Sequence, residues 1–472
     1  MKNIKVDLLV IGAGSGGLVL ASGAVQLEAN VVLVEGNRMG GDCLNYGCVP
    51  SKALLAAAYT AHQVNHSYKF GIKAKIADSN YAEVMAHVEK KIAAIAPHDS
   101  QERFEKMGVK VIRQFAKFKD HKTIIAGDYQ ITARRIALAT GSRAKIPNIK
   151  GLDEVTYLTN ETLFDLRKAP SHLAIIGGGP IGSEMAQAHA RLGVKTTLIE
   201  MNRIMQGYER RFVEPVEKSL IDDGVNILEN TIVKRVEKDK ADIKLHLSSG
   251  EVFVVSDLLI AAGRVPNIEQ LALEKAGVEY DEFGVKVNKN LQTTNRSIFA
   301  IGDIVEGSRF THTASYHAGI VLKKILLGLP SRLRTDHIPQ VTYTDPEIAS
   351  VGMNFEDAVK RFGKKVERSC VQLKTNDRAI TDSKTEGFIE VLLLGRKVIG
   401  CSITSKNAGE LISFWAFVLA KNIKISNINA MVPPYPTLGE LNKRVVSQYY
   451  APKIFGNKLL KLYVSMIQKS FI

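Results

Sequence analysis

Two stretches of this chain repeat one pattern at a long interval, and the pattern fixes most of what the chain can fold into. VDLLVIGAGSGG sets Gly12, Gly14 and Gly17 directly after an apolar run. LVLASGAVQLEA then has helical character, and VVLVE ends in Glu35. HLAIIGGGPIGSE sets Gly177, Gly179 and Gly182 in the same way, and TTLIE ends in Glu200. Gly12 to Glu35 and Gly177 to Glu200 are both steps of 23 residues. Strand, glycine turn, helix, strand and acid is the order of a dinucleotide-binding unit. The first glycine permits the tight turn, the second lets backbone approach a pyrophosphate, and the third lets helix and strand pack closely. The helix start then presents N–H groups and the positive end of its dipole to phosphate. A lone GxGxxG is weak evidence. Two in the same context predict two bound dinucleotides, with hydride passing between them. Glu35 and Glu200 are expected to accept hydrogen bonds from ribose hydroxyls. Glu200 favours NADH, because a carboxylate repels the 2′-phosphate of NADPH, although Arg203 nearby tempers that preference.

At 472 residues the chain is long enough for about three domains. Its 45% hydrophobic and 24% charged residues are those of a soluble globular protein, and four cysteines do not make a secreted disulfide scaffold. The opening MKNIKVDLLVIGAGSGG reads as a first strand rather than a signal peptide, since its apolar run flows straight into the glycine turn. No run of about 18 or more apolar residues predicts a membrane span, and a cytoplasmic protein is expected. The net charge of +15 raises nucleic acid as a partner, but the basic residues are scattered and suit anionic cofactors better. No nucleic acid is expected.

Cys43 and Cys48 lie together in GDCLNYGCVPSK. Zinc needs about four ligands, and neither the isolated Cys370 and Cys401 nor a histidine cluster supplies them. No metal site is expected. A structural disulfide would close only a tiny loop. A redox-active pair fits best. VPSKALLAAAYTAHQV reads as a helix with Pro50 in its first turn, which puts Cys48 near a helix N-terminus. The dipole there, and Lys52 four residues on, both favour a thiolate.

GGDCLNYGCVPSKAL resembles the active-site motif of the FAD-dependent pyridine nucleotide–disulfide oxidoreductases, which include dihydrolipoamide dehydrogenase, glutathione reductase and mercuric reductase. Further ordered motifs carry the resemblance through nearly the whole chain. ALATGSR resembles the strand and turn that close the first FAD segment, with Thr140 and Gly141. AAGRVPN resembles the turn that ends the NAD domain, with Gly263 and Arg264. TTNRSIFAIGDI resembles the second FAD motif, with Gly302 and with Asp303 matching the carboxylate that holds the ribityl chain. VTYTDPEIASVG resembles the start of the dimerisation domain.

The resemblance implies an α/β fold with two Rossmann-like dinucleotide-binding domains, for FAD and NAD(P), plus a C-terminal α+β dimerisation domain. Residues 1–150 would form the first FAD segment, 151–268 the NAD(P) domain, 269–336 a returning FAD segment, and 337–472 the interface domain of a homodimer. It implies FAD and NAD(P)H as cofactors, with Gly41 among the FAD contacts. Cys48 would be the proximal thiol that takes electrons, and Cys43 the interchange thiol that meets substrate. Lys52 would lie near the flavin N5, with Glu184 as its partner. Many relatives carry Thr where this chain has Asp42. A carboxylate there disfavours the Cys43 thiolate if it faces the sulfur.

The C-terminal segment reads MVPPYPTLGELNKRV. The resemblance places an acid/base histidine at Tyr435, with Pro436, Thr437 and the partner glutamate Glu440 as expected, in a site completed across the dimer. Phenol has a pKa near about 10, against about 6.5 for imidazole, so Tyr435 is a poor base and a fair hydrogen-bond donor. Weak dihydrolipoamide dehydrogenase activity follows. Mercuric reductase also carries tyrosine there, and a phenol beside thiolates suits a metal ion as oxidant. It also has a C-terminal cysteine pair, and this sequence has no cysteine after Cys401. The expected function is electron transfer from NAD(P)H through FAD and the cysteine pair to a small disulfide or metal ion. Dihydrolipoamide dehydrogenase, a membrane-surface NADH:quinone reductase and a non-catalytic sensor are the alternatives. His312 and His317, in FTHTASYHAG, read as core or cofactor-packing residues. KLLKLYVSMIQKSFI puts Leu459, Leu460, Tyr463 and Ile467 on one helical face beside Lys458, Lys461 and Lys469. It would pack in the dimer or touch a membrane surface weakly.

Overall fold

A computed structural model describes residues 1–76, 80–307 and 309–470. They gather into two compact units. The larger comprises residues 1–66, 74–202 and 225–334. Its first sheet has seven strands, with Lys2–Ile11 at its centre between Val31–Val34 and Tyr129–Leu138, all parallel. Lys110–Ile112 continues it beyond Val31–Val34, Ile298–Ala300 joins Tyr129–Leu138 in parallel, and Thr123–Ala126 and Ala116–Phe118 extend it antiparallel. Leu8, Leu9 and Val10 are fully buried, as a central strand covered on both faces requires. The helix Ser15–Val25 covers one face with helix Thr311–Leu326. A Cβ on Gly16 would lie 3.2 Å from the Ala314 carbonyl oxygen, so a small residue there lets the two helices approach.

The second sheet orders Val225–Leu228, Lys195–Ile199, His172–Ile176 and Asp257–Ile260, all parallel. A three-stranded antiparallel sheet, Val233–Asp239, Asp242–Leu247 and Val252–Val255, shares its core. Ser142–Ala144 pairs antiparallel with Arg264–Pro266 in a separate two-stranded ribbon.

The smaller unit comprises residues 67–73, 203–224 and 335 onward. Five antiparallel strands run in the order Gln340–Thr342, Glu347–Gly352, Lys397–Ser405, Phe388–Leu394 and Val366–Gln372. Helices Ala408–Ala420 and Glu440–Phe455 contribute Trp415, Leu441 and Val445 to its core. Trp415 is fully buried, and its indole N–H donates to Asn442 Oδ1 at 2.7 Å, so the polar edge is satisfied. Glu390 is buried in the sheet and is held by Arg368 at 3.0 Å and by Arg211. A buried carboxylate needs such partners. The fold is thus α/β with two dinucleotide-type sheets and an α+β C-terminal part. The last helix, Lys458–Ser470, leaves Leu459, Leu462, Tyr463 and Met466 exposed. Among the described residues, no helix is long and apolar enough to cross a membrane.

Candidate active site

The two glycine loops are nearly superposable in their local chemistry. Gly12 and Gly177 have φ of +108° and +112°, a region that side chains rarely adopt. A Cβ on either would sit 2.3 Å from the Ala139 oxygen or 2.4 Å from the Ala261 oxygen. A Cβ on Gly17 or Gly182 would come 1.9 or 1.8 Å from the carbonyl oxygen of Gly12 or Gly177. Both helices, Ser15–Val25 and Pro180–Arg191, start from an extended glycine with no side-chain cap, so their first N–H groups are left for a bound anion. Glu35 accepts from the Ala13 and Asn37 N–H groups, both at 2.6 Å. Glu200 accepts from the Gly178 N–H at 2.7 Å and the Asn202 N–H at 3.0 Å. The acids expected to meet ribose also brace the glycine loops. The loops differ at the middle glycine. A Cβ on Gly14 would find the Gly41 Cα at 4.0 Å and a Cβ on Gly179 nothing within 4 Å; the tight approach belongs to Gly41, where a Cβ would lie 2.7 Å from the Gly14 Cα.

Cys43 lies in the short helix Gly41–Asn45, and Cys48 opens the helix Cys48–Asn65. Both are free thiols, Cys43 half-buried and Cys48 exposed. Cys48 Sγ lies 3.3 Å from Thr311 Oγ1. The hydrogen bond from Cys43 is the largest influence lowering the Cys48 thiol, to about 6. Burial opposes it, and Thr311 and then Lys52 add to it. Cys43 is pushed far up, chiefly by donating to Cys48 and then by burial. The reduced pair therefore holds one proton, on Cys43, and one thiolate, on Cys48. Lys52 favours the Cys48 thiolate, as its spacing suggests, and ranks behind the neighbouring thiol and Thr311. Lys52 Nζ is 2.8 Å from Glu184 Oε2, and Glu184 is buried rather than solvated.

The turns around ATGSR and GRVPN interlock. The Thr140 hydroxyl donates to the Asn267 oxygen at 2.7 Å, the Asn267 side chain donates to the Thr140 oxygen at 2.9 Å, and the Asn267 N–H donates to the Gly141 oxygen at 3.0 Å. Gly263 precedes Arg264, whose guanidinium bonds Ser142 twice at 2.8 Å. Ser142 Oγ donates to Asp303 Oδ2 at 2.8 Å. Burial pushes the Asp303 carboxyl up, and Ser142 and Arg264 pull it back. Beside it, the Gly302 N–H donates to His317 Nδ1 at 3.2 Å. Burial lowers His317 to about 4, so it is a neutral packing residue, as its sequence context suggests. His312 is exposed and stacks on Phe310.

Sequence reasoning missed Thr311 and Thr313, although both stand in the quoted FTHTASYHAG. Thr313 Oγ1 is buried and has no hydrogen-bond partner among the described residues, which suits a polar atom whose partner is a bound group. With the glycine cradles and the bare helix starts, the residues present fit a bound dinucleotide in each half.

In the smaller unit, Tyr435 is exposed, and its hydroxyl donates to Asp377 Oδ2 at 3.0 Å. That bond and the Asp377 charge raise the phenol above its ordinary value, so it is a poorer base still. Glu440 opens the helix Glu440–Phe455, and its charge acts weakly in the same direction. No hydrogen bond joins Tyr435 to Glu440 among the described residues. Asp377 takes that place and is 58 residues from Tyr435, so no local signal could have found it.

Residues 6–318 match the family model for pyridine nucleotide-disulphide oxidoreductase, and residues 338–445 match that family's dimerisation domain. Mercuric reductase of Lysinibacillus sphaericus is 32% identical, over 92% of this chain and 81% of its own. Dihydrolipoyl dehydrogenase of Geobacillus stearothermophilus is 33% identical, over 93% and 95%. The solved structure of the HOCl-induced flavoprotein disulfide reductase RclA from Escherichia coli matches with a TM-score of 0.83 at 25% identity, covering 93% of this chain and 99% of its own. With two dinucleotide cradles, a polarised thiol pair and these matches, the chain belongs to the pyridine nucleotide-disulphide oxidoreductase family, enzymes that use FAD and NAD(P)H and act on sulfur groups or metal ions.

Proposed function

We propose that this enzyme passes two electrons from NADH through the Cys43–Cys48 pair to a small disulfide or a soft metal ion, and that it is weak toward dihydrolipoamide. Gly12, Gly14, Gly17, Glu35, Gly41, Thr140, Gly141, Gly302 and Asp303 would hold FAD. Gly177, Gly179, Gly182 and Glu200 would hold the nicotinamide cofactor, with Glu200 selecting NADH. Bound flavin supplies a two-electron relay between nicotinamide and thiols. The chain's own residues handle charge and protons. The Lys52–Glu184 pair keeps a cation beside Cys48. Opening the disulfide uses two electrons and one proton, leaving a thiolate on Cys48 and a thiol on Cys43. Cys43 then meets the oxidant. A disulfide oxidant takes up two electrons and two protons and leaves as two thiols; Hg(II) takes both electrons alone, and two Cu(II) ions take one each.

The observation that carries this reading is the Tyr435–Asp377 hydrogen bond at 3.0 Å. Oxidising a dithiol requires a base to take its protons. A phenol that already donates to a carboxylate is not one. Two of the relatives named above support the same choice, a mercuric reductase and a disulfide reductase also solved as a Cu(II) complex, while the dihydrolipoyl dehydrogenase supports the alternative. In the homodimer, Tyr435 of one protomer would serve the thiols of the other, in the cytoplasm.

The test is NADH oxidation by the purified enzyme with lipoamide and, separately, with Hg(II) or Cu(II). Slow lipoamide turnover that rises in Tyr435→His supports the reading. Fast wild-type lipoamide turnover would replace it with dihydrolipoamide dehydrogenase. Quinone reduction that survives Cys43→Ser would replace it with a quinone reductase.

The tail supports a weak, reversible contact of the dimer with anionic lipid. Residues 441–472 contain Lys and Arg but no Asp or Glu, and the exposed Leu459, Leu462 and Met466 share one helix with Lys458 and Lys461.

A further inference from the structure

Asp42 stands immediately before Cys43, where a free carboxylate would oppose a thiolate. Its two oxygens are both engaged. Oδ1 accepts from Asn160 Nδ2 at 2.8 Å, and Oδ2 faces Arg264 Nη2 at 3.2 Å. The Arg264 side chain is only 13% exposed, so it needs its counter-charges. It has two. Asp303 lies 3.9 Å from Nε and is also joined through Ser142. One guanidinium therefore stands between the carboxylate beside the interchange thiol and the carboxylate expected to hold the ribityl chain. Arg309 donates to the Arg264 carbonyl oxygen and fixes its backbone.

We infer that Asp42 is a positioning residue: through its ion pair with Arg264 it ties the first cysteine's loop to the turn that carries Asp303. The inference rests on the proposed roles of the thiols and of Asp303. Without the Asp42 charge, Arg264 turns wholly to Asp303 and competes with whatever that carboxylate holds. Without Arg264, the Asp42 charge falls on the thiol pair unopposed. The groups that face Cys48 are Cys43, Thr311, Lys52 and Asp42, and those that face Asp303 are Ser142, Arg264, Asp42 and Arg309.

The shared guanidinium predicts effects of opposite sign. Asp42→Asn should lower the midpoint of thiolate formation at Cys48, followed by 240 nm absorbance of chemically reduced protein, by roughly half a unit to one unit. Arg264→Gln should raise it. The double variant should match Asp42→Asn, because Arg264 acts on the thiol pair through the Asp42 charge. FAD retention gives a second readout, with Asp42→Asn weakening it roughly threefold to tenfold. Asp42→Thr, which installs the residue many relatives carry, serves if Arg264→Gln does not fold: it should lower the midpoint as Asp42→Asn does. An unchanged midpoint in both Asp42 variants, or shifts of the same sign in Asp42→Asn and Arg264→Gln, would overturn the inference. NADH reduction of the wild-type disulfide, counted as two new titratable thiols, tests the underlying roles separately, since the midpoints are read on chemically reduced protein.

Discussion

The two glycine cradles start from the same local code and end in different surroundings. Their first and third glycines make the same turn and the same close packing, to within 0.1 Å in the clearance a Cβ would find. Their middle glycines part company. Gly14 has Gly41, from the loop that also carries Cys43, as a neighbour, and a Cβ on Gly41 would strike the Gly14 Cα at 2.7 Å, while Gly179 has nothing within 4 Å of its own Cβ position. A cradle capped by the redox loop suits a cofactor that stays; an open one suits a nucleotide that enters, gives up hydride and leaves. On the proposed assignment, one motif would serve a resident and a visitor, and the difference would come from a neighbour outside the motif.

The largest effects should come where the cradles agree. Gly12→Val should yield protein without flavin, read from absorbance near 450 nm, while Gly177→Val keeps its flavin but can no longer be reduced by NADH. Equal flavin loss in both would break the comparison. Where the cradles differ, the cost should move from protein to ligand. Gly41→Ala puts a Cβ against backbone at positive φ and should destabilise by about 1–3 kcal/mol, with flavin released at lower temperature. Gly179→Ala should change stability by less than about 0.5 kcal/mol yet raise the KM for NADH.

A smaller effect belongs to the capping loop itself. With Cys48 held at about 6, reduction above that pH takes up one proton for two electrons, and below it two. The disulfide potential should fall by about 30 mV per pH unit above pH 6 and by about 60 mV below it. A single slope across that range would deny the shared proton. For stability the sign is that of a depressed acid: the Cys48 contribution in the reduced protein is full above the ordinary thiol pKa and fades as pH falls through about 6. The smallest effect is at the tail, where deleting 453–472 should reduce a weak binding to anionic vesicles and leave NADH oxidation intact; unchanged binding removes the lipid contact.

The sequence disclosed what is written in consecutive residues. Both cradles and the helix at Cys48 could be read because turn and helix start are local signals, whereas the pairing of Lys52 with Glu184, 132 residues apart, came from the family resemblance alone. The orientation of Asp42 could not, because it is set by Asn160, 118 residues away, and by Arg264. The same holds for Tyr435, whose chemistry is decided by Asp377 across the fold of the smaller unit. The ranking of influences on Cys48 also escaped, since Thr311 arrives from a distant helix.

The ribbon of Ser142–Ala144 with Arg264–Pro266 has a consequence for how this protein can be taken apart. Ala144 stands opposite Arg264, so the chain enters and leaves the intervening segment side by side. That segment carries the second cradle, and its residues 203–224 pack in the smaller unit, where Arg211 holds Glu390. Bridging its two ends with a short turn would add little loop-closure entropy. Such a shortened chain should be deaf to NADH and should also lose stability in the smaller unit, because buried Glu390 loses Arg211; a replacement segment spliced in at the same two strands would have to supply that partner as well.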